Sequence, residues 1–162
     1  MYKIMFVCHG NICRSPMAEF ITKHIVCTLG LDKDYEIASS ATSREEEGND
    51  VYPPAKRELY RRGVRFEERE ATLLSQNDYF RYDVLALMDD RNMRNITRII
   101  PSDPDRKIKK LLSFAGLERD VCDPWYSGDF ATAFNDILFG CSALLCSIDK
   151  RITQESISKI LS

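Results

Sequence analysis

Two cysteines and an arginine lie close together near the start of the sequence, in the stretch VCHGNICRSP. Cys8 ends an apolar run typical of a strand, and Ser15 followed by Pro16 is typical of a helix start, with a hydroxyl N-cap and a proline at the first helical position. The backbone N–H groups of such a loop bind anions, and the same field stabilises a cysteine thiolate. Arg14 adds a planar fork that can grip two phosphoryl oxygens. We therefore predict that Cys8 acts as a nucleophile toward a bound phosphate ester.

The other residues of this stretch suit a phosphate-binding loop. Gly10 and Asn11 both tolerate the left-handed backbone that a tight turn requires. Ser15, besides capping the helix, is placed to donate a hydrogen bond to the Cys8 sulfur. The Walker loop needs GxxxxGK followed by Ser or Thr, and its absence disfavours nucleotide hydrolysis. The plainer alternative, a buried strand end beside a surface arginine, leaves the C-x5-R-S spacing unexplained.

The elements that must position this loop alternate between strands and helices, which indicates one α/β layer structure. We predict strands over 2–7, 35–41 and 83–88, and helices over 15–29, 54–62, 89–99 and 130–148. The polar stretch TSREEEGNDVYPP is predicted to be a long surface loop that lines a site. The segment KIKKLLSFA fits a helix or a strand equally well by its pattern. The tail TQESISKILS is predicted to extend the last helix.

Composition predicts a single globular domain over residues 1–162, with 44% apolar and 30% charged residues. The 23 basic and 25 acidic side chains nearly balance, so no nucleic-acid or membrane partner is indicated. The start of the sequence lacks the pattern of a secretion signal, and no apolar run approaches the ~20 residues of a membrane span. The six cysteines form neither a disulfide framework nor a zinc pattern. These features predict reduced thiols in the cytoplasm.

The motif VCHGNICRSPMAE resembles the signature loop of the low-molecular-weight protein tyrosine phosphatases. The resemblance continues through SSATS, LMDDRNMRNI and DPWYSGDF, in residues 39–43, 87–96 and 123–130. It implies a three-layer α/β fold in which helices flank a four-stranded parallel sheet of order 2-1-3-4. In that pattern KIKKLLSFA is the fourth strand. The last dozen residues fall outside the resemblance and are predicted to be a helical extension.

The resemblance also implies a mechanism. Cys8 would attack a phosphotyrosine-containing protein or peptide and form a phosphocysteine, while Arg14 clamps the phosphate. A departing tyrosyl oxygen needs a proton donor. Most aspartates in loops such as CDPWYSG cap turns, but the resemblance makes Asp123 the general acid and, in the second step, the base. No metal or cofactor is expected, because Arg14 and the loop amides supply the positive field.

Further roles follow from the resemblance. Asn11 would hold the loop in shape, with Ser39 as its partner. Ile12 stands where related arginine phosphatases carry threonine, which favours phosphotyrosine. Trp125 and Tyr126 are the predicted wall against which the tyrosyl ring packs. We leave Asp89 outside the catalytic set, because its position in MDD is also that of a helix cap.

Three residues depart from the family pattern. His9, after the nucleophile, is predicted at the pocket rim or simply exposed. Glu45 lies where some members have an aromatic pocket wall, and Arg69 lies where many have a histidine behind the loop. The resemblance further suggests a reversible disulfide between Cys8 and Cys13 that protects the nucleophile. The alternative for Cys13 is a packed thiol under the loop, and the two are compatible.

Three other functions compete with this one. A thioredoxin-coupled arsenate reductase shares the fold but needs a redox pair of cysteines after the third strand, and ALMDDRNMRNITRIIPSDPD contains none. A phosphoarginine phosphatase of the same fold is the second alternative. The third is a phosphate-binding module without turnover, which would need neither the nucleophile Cys8 nor the acid Asp123.

Overall fold

A parallel sheet of four strands forms the centre of the structure, a computed structural model that describes residues 1–161. The strands are β1 (Tyr2–Cys8), β2 (Tyr35–Ala41), β3 (Val84–Leu87) and β4 (Ile108–Lys110). Their order is β2-β1-β3-β4, which confirms the predicted sheet. Cys8 pairs in register with Ala41, and Val7 pairs with Leu87. The carboxyl ends of β1, β2 and β3 therefore meet at one edge of the sheet, where ligand loops of α/β folds lie.

Helices cover both faces of this sheet. They are α1 (Arg14–Thr28), α2 (Pro53–Arg61), α3 (Gln76–Arg81), α4 (Asp90–Asn95), α5 (Pro124–Ser127), α6 (Phe130–Ile148) and α7 (Gln154–Ser158), with 3₁₀ turns at Asp32–Asp34, Ile96–Arg98 and Leu111–Ala115. Along β1, Ile4 and Phe6 belong to the core that includes α1 and α6, whereas Met5 and Val7 belong to the core on the opposite face. Burial on both faces explains why β1 is apolar rather than alternating.

The start of α1 differs from the sequence prediction. The helix begins at Arg14 with Cys13 as the N-cap residue, and no side chain caps it. Ser15 is not the cap, because its hydroxyl contacts the Cys8 sulfur and the Asn11 side chain instead. The predicted bond between Ser15 and Cys8 is present.

The fourth strand is shorter than predicted. Only Ile108–Lys110 pairs with β3, and the LLSFA half of the segment is a 3₁₀ turn. Leu111 is fully buried and packs closely on α6 at Gly140, where an added Cβ would lie 2.6 Å from Leu111 Cγ. This contact draws the chain off the sheet edge, since Leu111 must point into the core.

The tail is not an extension of α6. The helix ends at Ile148, Asp149 has an extended backbone, and α7 is a separate short helix. Ile152, Ile157 and Leu161 are buried in the core, so the turn at Asp149 directs the tail back onto the domain. Ser162, the end of the predicted domain, lies outside the described residues.

The length and composition of α6 would allow it to cross a membrane, with 19 residues and a mean hydropathy of 1.5. Phe134, Ile137, Cys141 and Leu144 of this helix are fully buried in the core shared with α1. A core helix meets the same criteria, so packing inside the domain accounts for the apolar sequence.

Candidate active site

The loop between β1 and α1 has its carbonyl groups turned outward. The carbonyl oxygens of Cys8 and His9 accept hydrogen bonds from the amides of the loop after β2, with N···O distances of 3.0 and 3.1 Å, and that of Ile12 accepts from Tyr52 N at 2.9 Å. Asn11 has a φ of 59°, the left-handed conformation expected for this turn. These carbonyl groups are therefore paired with neighbouring loops, as is expected of a loop whose N–H groups bind an anion.

A hydrogen-bond network behind the loop holds Asn11. Its amide nitrogen Nδ2 donates to Ser15 Oγ at 2.7 Å and to Ser39 Oγ at 2.9 Å. Ser15 Oγ lies 3.0 Å from Cys8 Sγ, and Ser39 donates to Glu19 Oε1 at 2.5 Å. Asn11 is fully buried, so these bonds fix the loop from within the domain. The structure thus places Ser39 beside Asn11, as the resemblance implied.

Arg69, which the resemblance marked as a departure from the family pattern, also binds Asn11. Its Nη1 donates to the backbone oxygen of Asn11 at 2.7 Å, and its Nη2 donates to Asn11 Oδ1. Thr72 N donates to the same Oδ1 at 3.1 Å. Burial lowers the pKa of Arg69, although nearby Glu19 and Cys8 act in the opposite direction. A guanidinium remains charged in proteins, so the loop has a fixed cation behind it.

Arg14 is held by three oxygens at the base of the pocket. Its Nη1 donates to the carbonyl of Val121 at 3.1 Å, and its Nη2 lies 2.8 Å from Asp89 Oδ2 and 3.4 Å from Asp123 Oδ2. Only 4% of the side chain is exposed. Burial acts to lower the pKa of Arg14, but the negative charges of Cys8, Asp123 and Asp89 raise it above its ordinary value. The guanidinium is therefore charged and fixed in orientation before an anion arrives.

Asp89 does more than the predicted capping. Its Oδ1 accepts a hydrogen bond from Asn92 N at 2.7 Å and so caps α4, while its Oδ2 forms the shorter of the two carboxylate contacts with Arg14. Sequence reasoning missed the second role. The signal was available, because Asp89 follows β3 at the sheet edge where Cys8 ends β1.

Asp123 is the N-cap residue of α5. Its Oδ1 accepts a hydrogen bond from Trp125 N at 3.1 Å, and its Oδ2 faces Arg14. The side chain is 31% exposed, so one edge of the carboxyl group is open to a ligand. Asp123 therefore caps α5, as its residue type suggests, and also lines the pocket.

These side chains surround one pocket of about 260 Å³. The lining residues are Cys8, His9, Gly10, Ile12, Cys13, Arg14, Glu45, Glu46, Arg91, Asp123, Trp125 and Tyr126. The structure therefore brings Glu45, Trp125 and Tyr126 to the rim, while Asn11, Ser15 and Ser39 act from behind the loop. Glu46 and Arg91 were not predicted, and their residue types carried no signal that could have found them.

His9 and Glu45, two of the departures from the family pattern, contact each other at the rim. His9 Nε2 lies 3.0 Å from Glu45 Oε2. The His9 side chain is 26% exposed and that of Glu45 is 69% exposed. The contact joins the phosphate loop to the polar loop after β2, so the two departures act as a pair.

Cys13 is buried in a small apolar cluster with Ile12 and Ala71. Burial, followed by the negative charges of Cys8 and Asp123, raises its pKa to about 12. Cys13 is therefore a protonated thiol at neutral pH, unlike a nucleophile. Both Cys8 and Cys13 are free cysteines in this structure.

A buried cysteine at the base of a phosphate-sized pocket, clamped by an arginine and faced by a carboxyl group, is the arrangement of a cysteine-dependent phosphatase. The family model described as low molecular weight phosphotyrosine protein phosphatase matches residues 3–155. The chain belongs to this family, whose members are hydrolytic enzymes.

Several proteins of this family are similar to this chain in sequence and in structure. The low molecular weight protein-tyrosine-phosphatase YfkJ of Bacillus subtilis is 33% identical over 152 residues, which cover 93% of this chain and 97% of the relative. The YfkJ crystal structure matches with a TM-score of 0.88 at 32% identity, covering 94% and 98% of the two chains. A Streptococcus pyogenes low molecular weight protein tyrosine phosphatase matches with a TM-score of 0.83 at 30% identity, covering 99% of each chain. A Drosophila arginine phosphatase matches with a TM-score of 0.80 at 28% identity, covering 90% of this chain and 96% of the other.

Proposed function

We propose that this enzyme hydrolyses phosphotyrosine in proteins or peptides through a phosphocysteine on Cys8. The observation that carries the proposal is the convergence of Cys8, Arg14 and Asp123 on one pocket, although 109 positions separate the last two in sequence. Binding a phosphate alone would need neither a nucleophile nor a proton donor beside it.

In the first step, the Cys8 thiolate attacks phosphorus and forms an S–P bond while the bond from phosphorus to the tyrosyl oxygen breaks. The protonated carboxyl group of Asp123 gives its proton to the departing oxygen, which leaves as neutral tyrosine. Arg14 and the loop amides hold the three equatorial oxygens as charge builds on them. A substrate phosphate would replace Asp123 as the partner of Arg14 Nη2 on the pocket side.

In the second step, a water molecule attacks the phosphocysteine and the S–P bond breaks. Asp123, now a carboxylate, accepts the proton of that water. Inorganic phosphate leaves and Cys8 returns to the thiolate. The Ser15 hydroxyl, which lies 3.0 Å from the Cys8 sulfur, stabilises the departing thiolate. Arg14 and the amides supply all the positive charge that these steps use, so the proposed reaction needs no metal.

Phosphotyrosine is the preferred substrate because two aromatic side chains line the pocket. Trp125 and Tyr126 form one side of the rim, where a phenyl ring can pack, and Ile12 also lines the pocket. Phosphoarginine is the second candidate, because Glu45 and Glu46 also line the pocket and a carboxylate binds a guanidinium well.

We also propose that the enzyme works in the cytoplasm. All six cysteines are free in this structure, and the mechanism needs Cys8 in its reduced form. A reducing compartment keeps such thiols available.

The test compares p-nitrophenyl phosphate, a phosphotyrosine peptide and a phosphoarginine peptide as substrates in the presence of a chelator. We expect turnover of the first two, a kcat/KM for phosphoarginine at least about tenfold lower, and abolition of turnover by Cys8→Ser. Cys13→Ser is the matched control and should retain turnover. Activity that survives Cys8→Ser contradicts the mechanism, and a preference for phosphoarginine contradicts the substrate assignment.

A further inference from the structure

A second groove lies beside the active-site pocket, between α2 and α5. Tyr52, Arg57, Arg61, Trp125 and Phe130 are among its lining residues, and we call it the α2 groove. None of the steps proposed above uses it. Its cavity of about 460 Å³ is large enough for an amino-acid side chain and adjoining backbone.

The α2 groove adjoins the active-site pocket at Trp125. This side chain lines both cavities and is 52% exposed. Tyr52 supports it from the groove side, with ring centroids 4.9 Å apart, and Phe130 lies 6.1 Å from Tyr52. A peptide whose phosphotyrosine occupies the pocket can therefore pass over these aromatic rings and reach the α2 groove.

The α2 groove carries excess positive charge. Glu58 is the one carboxylate among its lining residues in the described chain, and it is only 8% exposed. Arg61 Nη2 lies 2.5 Å from Glu58 Oε2, and Arg62 Nε lies 2.8 Å from the same oxygen. Among the described lining residues, Arg61 therefore offsets Glu58, and the positive charge of Arg57 is left without a balancing carboxylate.

Arg57 is exposed at the groove, and within residues 1–161 it makes no hydrogen bond or ion pair. Its guanidinium has five N–H donors in a planar fork that matches a carboxylate. The α2 groove thus offers an uncommitted cation next to the channel along which a peptide substrate would run.

We propose that the α2 groove is a substrate subsite that binds an aspartate or glutamate side chain near the phosphotyrosine, with Arg57 as its main contact. The subsite rests on the proposed function, because its occupant is the peptide whose phosphotyrosine fills the adjoining pocket. An extended peptide advances about 3.3 Å per residue, so an acidic residue within the first few positions from the phosphotyrosine reaches the groove. The enzyme accordingly selects phosphotyrosine sites with acidic residues on one side.

The test measures kcat and KM for pairs of phosphotyrosine peptides that differ only by Glu or Gln at each of the three positions on either side of the phosphotyrosine. Wild-type enzyme should prefer Glu over Gln by about two- to fivefold in kcat/KM at one or two adjacent positions, as a partly exposed ion pair allows. The preference should appear in KM rather than kcat. Arg57→Gln should abolish it and Arg57→Glu should reverse it.

Two controls separate this subsite from the catalytic site. p-Nitrophenyl phosphate is too small to reach the α2 groove, so Arg57→Gln should turn it over at the wild-type rate. Arg98→Glu makes the same charge change as Arg57→Glu, but at an exposed arginine in the 3₁₀ turn after α4, which does not line the groove. Equal kcat/KM values for the Glu and Gln peptides would overturn the subsite, as would a preference for Glu that persists in Arg57→Gln. A change in that preference as large in Arg98→Glu as in Arg57→Glu would also overturn it. If the wild-type enzyme did not hydrolyse p-nitrophenyl phosphate at all, that result would instead contradict the proposed function.

Discussion

The sulfur of Cys8 lies 3.0 Å from the hydroxyl oxygen of Ser15. Asn11 donates to that same oxygen at 2.7 Å, so the hydroxyl hydrogen of Ser15 remains free to point at the sulfur. The loop therefore provides a directed donor for a thiolate, held in place from behind by Asn11. This relationship explains why Ser15 is drawn away from the helix-capping role that its sequence position suggests.

Ser15→Ala should slow the enzyme by removing this donor. Hydrogen bonds to charged groups contribute about 1.5–3 kcal/mol, so we expect kcat for p-nitrophenyl phosphate to fall by about ten- to a hundredfold. Ser113→Ala is a suitable control, because the Ser113 hydroxyl is exposed and donates only to the nearby carbonyl of Lys110. A kcat for Ser15→Ala within about twofold of wild type would show that the contact does not assist catalysis.

Arg69→Met should loosen the phosphate loop. The substitution removes both donors to Asn11 and leaves its buried oxygens with fewer partners. We expect the free energy of unfolding to fall by about 1.5–3 kcal/mol in urea titrations, together with a lower kcat. Arg69→Lys keeps the charge without the planar fork, so its stability and kcat should lie between those of wild type and Arg69→Met. Wild-type stability and kcat in Arg69→Met would exclude a positioning role for this cation.

Alkylation should distinguish the two cysteines of the loop. With a pKa of about 12, Cys13 is protonated throughout the neutral range and should react slowly with iodoacetate at pH 7. Cys8 should react first, with matching loss of activity, and inorganic phosphate should protect it. Fragment-ion mass spectrometry can assign the label, with the exposed Cys27 as an internal reference. Labelling of Cys13 as fast as Cys8 would contradict this assignment.

Asp149 should make stability depend on pH in the acid range. Hydrogen bonds from Arg151 lower its pKa to about 2, assisted by Tyr35 and opposed by burial. An unfolded aspartate has a pKa near 3.9, so this contribution is complete above about pH 4 and is lost as the pH falls toward 2.

Asp149→Asn should therefore reduce the free energy of unfolding by about 2 kcal/mol at pH 7, by weakening the contacts that tie the turn before α7 to β2. The difference from wild type should narrow as the pH approaches 2. Denaturant titrations at several pH values measure it, and a difference that stays constant with pH would rule out this origin.

The sequence predicted those parts of the fold that local pattern determines. The second strand was predicted over 35–41 and forms there, and the long helix over 130–148 likewise matches its observed ends. The errors arose where a distant contact decides the local structure. Leu111 leaves the sheet to pack against Gly140, and Asp149, which follows α6, binds Tyr35 in β2, 114 positions away.

The candidate site divides in the same way. Cys8 and Arg14 belong to one short loop, so their spacing carried the prediction. Asp123 could be selected only through the family resemblance, because a capping aspartate looks the same in sequence. The ion pair between Asp89 and Arg14 depends on the strand order that brings the ends of β1 and β3 to one edge, and the sequence prediction did not apply that order to Asp89.

Trapping the phosphocysteine tests the mechanism most directly. Asp123→Ala lacks the base for the second step, so rapid quenching during turnover of p-nitrophenyl phosphate should leave phosphate on the enzyme. Fragment-ion mass spectrometry must separate Cys8 from Cys13, since the two lie close together in sequence. We expect the phosphate on Cys8 and none on Cys13. A double variant that carries both Asp123→Ala and Cys8→Ser should show no labelled enzyme. Phosphate on another residue, or p-nitrophenol release by the Cys8→Ser variant, would contradict Cys8 as the nucleophile.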